Sequence, residues 1–275
     1  MRGARTFLFS VDLEDPRLLV PDGERFRPRV EPMTLRYLDW LDRHRFSATF
    51  FVVGEVARRH PGLVREIARR GHEIGCHSNL HIPLDRQSPE ELRADLGECL
   101  ETLAACGASA VVGYRAPTFS LRKETAWAYD ILAALGIQYS SSVLPAANPL
   151  HGWPGFGAAT RRMPSGVLEI PITIGRIGPL RVPVAGGVYF RVLPFWVIAR
   201  AIEGPGLAGA VTGYFHPYDL DEDQERFVHA ALEGNWFYHW LMFRGRGKVL
   251  GRLDRLIEKG HRVQTYASYA ARFAA

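Results

Sequence analysis

Apolar residues along the chain fall into two alternating patterns. Short continuous runs, Thr6 to Val11 (TFLFSV), Ser47 to Val53 (SATFFVV), His72 to Cys76 and Ala110 to Tyr114, read as strands buried on both faces. Between them apolar residues recur at helical spacing: Leu35, Leu38 and Leu41 within Met33 to Arg43, and Leu63, Val64, Ile67 and Ala68 within Glu55 to Arg70, interrupted at His60-Pro61-Gly62. Ser88-Pro89-Glu90-Glu91 opens a helix reaching Cys106, with serine at the cap and proline at the first position. Further on, helices are expected over Lys123 to Leu135, Leu193 to Glu203 and Lys248 to Lys259, with a terminal helical turn over Tyr269 to Ala275. Strands are expected at Ile137 to Tyr139, Val167 to Ile174, Val182 to Val184, Ala210 to Phe215 and Arg262 to Thr265. Strands alternating with helices imply a parallel sheet with crossover helices, closed or nearly closed into an α/β barrel. No linker or repeat interrupts the alternation, so one domain over residues 1–275 is expected. Ser140 to Ser165, rich in proline, glycine and aromatic residues, is long enough to be a functional loop.

Composition narrows this little. The 47% hydrophobic and 23% charged residues are those of a globular chain. The net charge of +5 comes from arginine, since Lys123, Lys248 and Lys259 are the only lysines. The arginines are spread along the chain, many on helix faces such as Arg58, Arg59, Arg65, Arg69 and Arg70, which argues against a nucleic-acid stripe. Three cysteines give no disulfide framework; Cys76, Cys99 and Cys106 read as core thiols in a reducing compartment. No run approaches the ~20 apolar residues of a spanning helix, and the apolar run after Arg2 and Arg5 is broken by Asp12, unlike a signal peptide. A cytoplasmic location is expected.

The chemistry collects where strands end. Asp12, Glu14, His77, His81, Arg115 and His216 each follow a strand, and in parallel barrels reacting groups gather at strand C-termini. His77 and His81 are four residues apart, so a helical turn between them would aim both imidazoles at one point. Two solvated loop histidines would show the same spacing. The acidic cluster Asp12, Glu14 and Asp15 ending a buried strand favours a metal, because a carboxylate there is costly unless paired or bound. A divalent metal with three protein ligands keeps an open position for chemistry on a carbonyl. His216 has the titration range of a proton donor, and Phe119, Trp153, Tyr189 and Trp236 are candidate sugar-stacking walls or core residues. His44, His60, His72, His151, His229, His239 and His261 read as structural or surface residues.

The order SVDLED, ATFFVVG, GHEIGCHSNLH, GYRAPTFS and YFHPYDLD resembles the NodB-like polysaccharide deacetylases, carbohydrate esterase family 4. More narrowly, RAPTFS, LEIPI, GGVYFR and FHPYDLD resemble the subfamily found at exopolysaccharide and exosortase loci. The resemblance spans nearly the whole chain. It implies a distorted (β/α)7 barrel and metal-dependent removal of N-acetyl groups from an amino sugar, with Zn2+ as the expected metal and an N-acetylated carbohydrate as partner. By the resemblance Asp12 is the base, Arg115 orients it, His216 is the general acid, and His77 and His81 are ligands. The third ligand is Glu14 or Asp15; Glu14 matches the acid-x-acid form. Thr118 stands where a backbone N–H holds the oxyanion, beside Phe119 and Trp153. Glu169 or Asp219 takes the place of the family's carboxylate behind the histidine. Two other classes remain: a metal-independent hydrolase of small cyclic amides, against which the His77/His81 pair speaks, and a non-catalytic glycan-binding relative, which would be expected to lack Asp12 or His216.

Overall fold

The computed structural model describes residues 5–108, 110–148, 151–178, 180–204, 209–227 and 235–273. In chain order the first half supplies β1 (Arg5–Leu13), α1 (Val30–His44), β2 (Thr49–Val52), α2 (Gly54–Arg59), α3 (Pro61–Arg69) and β3 (Glu73–Cys76). It continues with α4 (Pro89–Ala105), β4 (Gly113–Tyr114), α5 (Ala128–Ala134) and β5 (Tyr139–Ser140). The second half adds β6 (Arg161–Arg162), β7 (Leu168–Glu169), β8 (Gly175–Ile177), β9 (Leu180–Val182), α6 (Gly187–Val192) and α7 (Phe195–Glu203). It ends with β10 (Val211–Phe215), α8 (Trp236–Met242), α9 (Val249–Glu258), β11 (His261–Gln264) and α10 (Tyr266–Ala270). The Ser88 cap of α4 forms as its sequence implies: Ser88 Oγ accepts the Glu91 N–H at 3.2 Å, and Glu91 accepts the Ser88 N–H at 2.7 Å.

β1 is the centre. Phe7 to Val11 pair in parallel with Val211 to Phe215, so β10 occupies one edge. The other edge is shared, β11 pairing Arg5 to Leu8 and β2 pairing Ser10 to Leu13. The sheet runs β10-β1-β2-β3-β4-β5-β7-β6, with every pairing parallel except β6 on β7. It curls into the expected distorted α/β barrel. Where β7 runs on towards β10, the two sides are joined by threonines. Thr173 N–H donates to Thr212 Oγ1 at 2.6 Å and Thr212 N–H donates to Thr173 Oγ1 at 2.8 Å. This pair ties the sides of the barrel together through side chains.

Several elements depart from the pattern-based expectation. The expected strand Val167 to Ile174 contracts to β7, because Pro171 has no N–H for a ladder. The strand expected at Val182 to Val184 is β9, in an antiparallel hairpin with β8 off the main sheet, turned at Gly178 with φ +59°. The strand expected over Ala110 to Tyr114 is the two-residue β4, and the helix over Lys123 to Leu135 is a 3-10 turn (Lys123–Thr125) followed by α5. α6 and α8 lie outside the expected helices: Gly186 and Gly187 weaken the helical signal where α6 begins, and WFYHWLM has no polar face to reveal a period.

The core lies between the sheet and its helices. Trp40 and Tyr37 of α1 meet Phe9 of β1 at centroid distances of 5.6 and 5.8 Å, and Phe9 stacks on Phe215 of β10 at 5.2 Å. Removing each such ring from water contributes about 1.5–3 kcal/mol, which fixes β1 against its helix. All three cysteines are free and buried. Among the described residues, no helix is long and apolar enough to cross a membrane.

Candidate active site

The floor of the site is set by β1. Alternation puts Ser10 and Asp12 on one face of the strand, and Arg115, arriving just after β4, binds both. Its Nη1 donates to Ser10 Oγ and to Asp12 Oδ1, each at 2.6 Å; its Nη2 donates to Tyr266 Oη at 2.9 Å, and its Nε to the Ser141 carbonyl at 3.0 Å. The guanidinium is fully buried, 4.2 Å from the centroid of Phe51. Burial alone would lower its pKa, but Asp12 and Tyr266 outweigh it and hold the arginine charged. Asp12 thus has one carboxylate oxygen pinned by a permanent cation. Ser10 belongs to the SVDLED run, whereas Ser141 and Tyr266 carry no motif of their own, and Tyr266 comes from the far end of the chain.

The histidine pair sits on the turn after β3. The spacing would bring both rings together through a helical turn; here Ser78 (φ +64°) and His81 (φ +57°) adopt left-handed backbone. The strain is held by partners, since His81 N–H donates to Ser78 Oγ at 2.8 Å, and the N–H groups of Asn79 and Leu80 donate to Asp95 of α4 at 2.8 and 3.2 Å. The rings end 4.9 Å apart. His77 Nδ1 lies 2.8 Å from the Arg115 carbonyl, which leaves Nε2 as the free nitrogen. Burial pushes the His77 pKa down to about 4, so the ring is neutral and able to ligate.

Glu14 completes the cluster. One ligand atom from each of Glu14, His77 and His81 lies within 4.8 Å of the others. Glu14 Oε2 is 2.6 Å from His81 Nε2, and Glu14 Oε1 accepts from Tyr218 Oη at 3.2 Å. Burial raises the Glu14 pKa, but the charge fields of His81 and His216 outweigh it and hold the carboxylate ionised well below its usual range. A Glu-His-His set, with Glu14 and His77 buried and His81 half-buried, is the donor chemistry of a catalytic zinc-type centre. Asp15 does not join it: its carboxylate caps the following 3-10 turn and is taken by Arg17 at 2.5 Å.

On the opposite side His216 leaves the end of β10. Its Nε2 is 3.4 Å from Glu14 Oε1, and its Nδ1 is 3.0 Å from Asp219 Oδ2, which also accepts the His216 backbone N–H at 2.8 Å. Behind Asp219 stands Arg191 of α6, ion-paired at 2.8 Å and itself fully buried. Burial pulls the His216 pKa down, but Glu14 and Asp219 more than compensate and raise it to about 9. Of the two carboxylates considered for this position, Asp219 is the one in contact. Glu169 instead accepts the N–H groups of Ser142 and Val143 and the hydroxyl of Tyr129.

Asp12, Glu14, His77, His81, His216 and Asp219 face a cavity of about 310 Å³, also lined by Thr118, Phe119, Tyr189 and Tyr214. Phe119 meets Tyr214 edge-on at 4.9 Å. The Tyr189 wall depends on glycine: a Cβ on Gly186 would lie 2.1 Å from the Tyr214 carbonyl oxygen, and Gly187 has φ +51°. Trp153 is not in the lining. Its ring packs on Phe156 at 4.9 Å and against the core, and its backbone N–H is tied back to the Leu144 carbonyl at 2.8 Å. Trp236 is 77% exposed on α8, outside the cavity lining. His229 lies outside the described residues.

Residues 22–140 match the family described as "Polysaccharide deacetylase", and residues 141–270 match a "Domain of unknown function (DUF3473)". Both stretches contribute strands to the one sheet. The chitooligosaccharide deacetylase of Rhizobium leguminosarum bv. trifolii is 32% identical over 100 residues, covering 36% of this chain and 44% of that protein. The chain therefore spans less than half the length of that relative. Among solved structures, one from Mycobacterium smegmatis described as a candidate polysaccharide deacetylase superposes with a TM-score of 0.61 at 22% identity, covering 99% of this chain and 91% of that one. A carbohydrate esterase family 4 pseudoenzyme from Bacillus anthracis superposes with a TM-score of 0.54 at 12% identity, covering 98% and 66%. At these identities the likeness shows the fold.

Proposed function

We propose, from the match of residues 22–140 to the family described as polysaccharide deacetylase, that the chain is a metal-dependent hydrolase, acting as one domain, that removes N-acetyl groups from an amino sugar in a glycan. One observation carries this reading: Glu14, His77 and His81 converge within 4.8 Å, and Asp12, held from behind by Arg115, and the His216–Asp219 pair face the same cavity. A non-catalytic relative would be expected to have lost Asp12 or His216, and both are in place.

Glu14, His77 and His81 would hold a divalent cation, for which we propose zinc; when bound it acidifies a water and polarises the amide carbonyl. Asp12 then takes the proton of the attacking water, its carboxylate aimed by Arg115. The Thr118 N–H donates to the oxygen on which charge develops, and a fixed donor of this kind is worth ~10²–10³-fold in rate. His216 gives its proton to the leaving amine; its raised pKa keeps it protonated at neutral pH. Phe119, Tyr189 and Tyr214 supply apolar walls for a sugar ring. The test is acetate release from N-acetylated chitooligosaccharides with and without chelator. Chelator-sensitive release that returns with zinc is expected. Undiminished release from the chelated protein would overturn the metal dependence.

A further inference from the structure

Thr118 and Phe119 both occupy left-handed backbone, with φ of +53° and +55°. Neither is glycine, and two such residues in succession are costly unless their surroundings hold them. Beyond the edge-on contact of Phe119 with Tyr214, side chains and backbone of three other segments hold this turn. Ser120 Oγ accepts the Leu84 N–H at 3.0 Å, and Ser120 forms an isolated bridge with Val143. The third tether is His151. Its Nδ1 lies 3.0 Å from Thr118 Oγ1 and 3.2 Å from the Thr118 carbonyl oxygen, while its Nε2 lies 3.3 Å from Asp85 Oδ1. The Thr118 hydroxyl donates to the Pro117 carbonyl at 2.7 Å, so it can accept from the imidazole. Asp85 in turn faces Arg122 at 3.6 Å.

The long loop is shaped to deliver this ring. The Trp153 N–H is held by the Leu144 carbonyl, and a Cβ on Gly152 would lie 2.1 Å from the Ala146 carbonyl oxygen, so the chain doubles back closely beside His151. Trp153 anchors the loop on the core. Thr118 itself lines the cavity, and His151 does not.

We infer that His151, backed by Asp85, is a positioning residue that latches the left-handed Thr118 turn in the geometry the reaction uses. The inference rests on the proposed deacetylation, in which the Thr118 N–H serves the oxyanion. A latch of this kind acts on the transition state more than on ground-state binding, so its loss moves kcat and leaves KM. The loss should be smaller than that of deleting an oxyanion donor, roughly 10–100-fold against ~10²–10³-fold.

The test compares wild type, His151→Ala and His151→Gln in acetate release from N-acetylated chitooligosaccharides, with hydrogen exchange followed across residues 116–121. For His151→Ala the expected result is a kcat lower by about 10–100-fold, KM within about twofold, unchanged metal content and faster exchange across the turn. His151→Gln, which can still donate to Thr118, should recover part of both. Wild-type kcat in His151→Ala, or a loss confined to KM, overturns the latch. Should the wild type release no acetate, the proposed reaction fails by itself, and the exchange data alone decide the latch: unchanged protection overturns it.

Discussion

Asp219 Oδ2 lies 3.0 Å from Nδ1 of His216 and 2.8 Å from the same residue's backbone nitrogen, so one carboxylate fixes both the ring and the chain of the proposed acid. The three-residue spacing makes this a local device, in which Pro217 starts a 3-10 turn that folds Asp219 back onto His216. Arg191 holds the far oxygen at 2.8 Å. The imidazole proton is thereby kept on Nδ1, and Nε2 faces Glu14 and the cavity.

His216→Gln should retain the metal while losing roughly 10²–10⁴-fold in turnover. The protonated ring is the acid, so activity should persist to alkaline pH and fall as His216 loses its proton. Burial lowers this pKa, while Glu14 and Asp219 raise it. Asp219→Asn removes one raising charge and should move the alkaline limb to lower pH. A pH–rate profile reads the shift; an unmoved limb would remove Asp219 from this role.

Glu14→Ala should empty the metal site, whereas Asp15→Ala should leave it filled and loosen the turn at Pro16–Leu19 that Asp15 caps. Elemental analysis of the purified variants separates the two. The reverse pattern would identify Asp15 as the ligand.

Thr212→Val keeps the shape of the barrel junction but removes the acceptor of the buried Thr173 N–H. An unsatisfied buried donor costs about 1–3 kcal/mol, so the urea midpoint should fall by a corresponding amount with metal content unchanged. A midpoint equal to wild type would show that the junction is held otherwise.

His72 is buried against Phe50, 5.4 Å between rings, and burial lowers its pKa from 6.5 to about 4 despite the opposing field of Asp42. The folded state therefore favours the neutral ring. Its contribution is fully present above pH 6.5 and declines as pH falls towards 4, where the unfolded chain binds the proton first. His72→Gln should flatten this part of the stability–pH curve, as read by urea denaturation at several pH values. An unchanged acid slope would assign it to other groups.

Much of the site was readable because chemistry was concentrated where buried strands end. Asp12 and Glu14 follow an apolar run that gives them no reason to be there except function, and His77, His81, Arg115 and His216 repeat that signature. The acid-x-acid form already favoured Glu14 over Asp15; what the sequence did not show is the physical reason, Arg17 reaching back two residues to take the Asp15 carboxylate. Arg191 carried a readable signal, an arginine in an otherwise apolar stretch that calls for a buried anion. Tyr266 carried none, because it reaches Arg115 across 151 residues of chain. The His-x3-His spacing pointed to one shared centre, but not to the left-handed backbone of Ser78 and His81, which Asp95 and the Ser78 hydroxyl hold by satisfying the N–H groups of the turn. His151 looked like a surface residue because both its partners are remote in sequence.

The central claim is that Glu14, His77 and His81 hold a metal on which amide hydrolysis depends. The most direct measurement is acetate release from N-acetylated chitooligosaccharides by chelator-stripped protein titrated with Zn2+, run in parallel on wild type and His77→Ala. The account predicts no release from stripped wild type, recovery saturating at about one ion per chain, and no recovery in His77→Ala. Full release from stripped wild type, or equal recovery in His77→Ala, would contradict it.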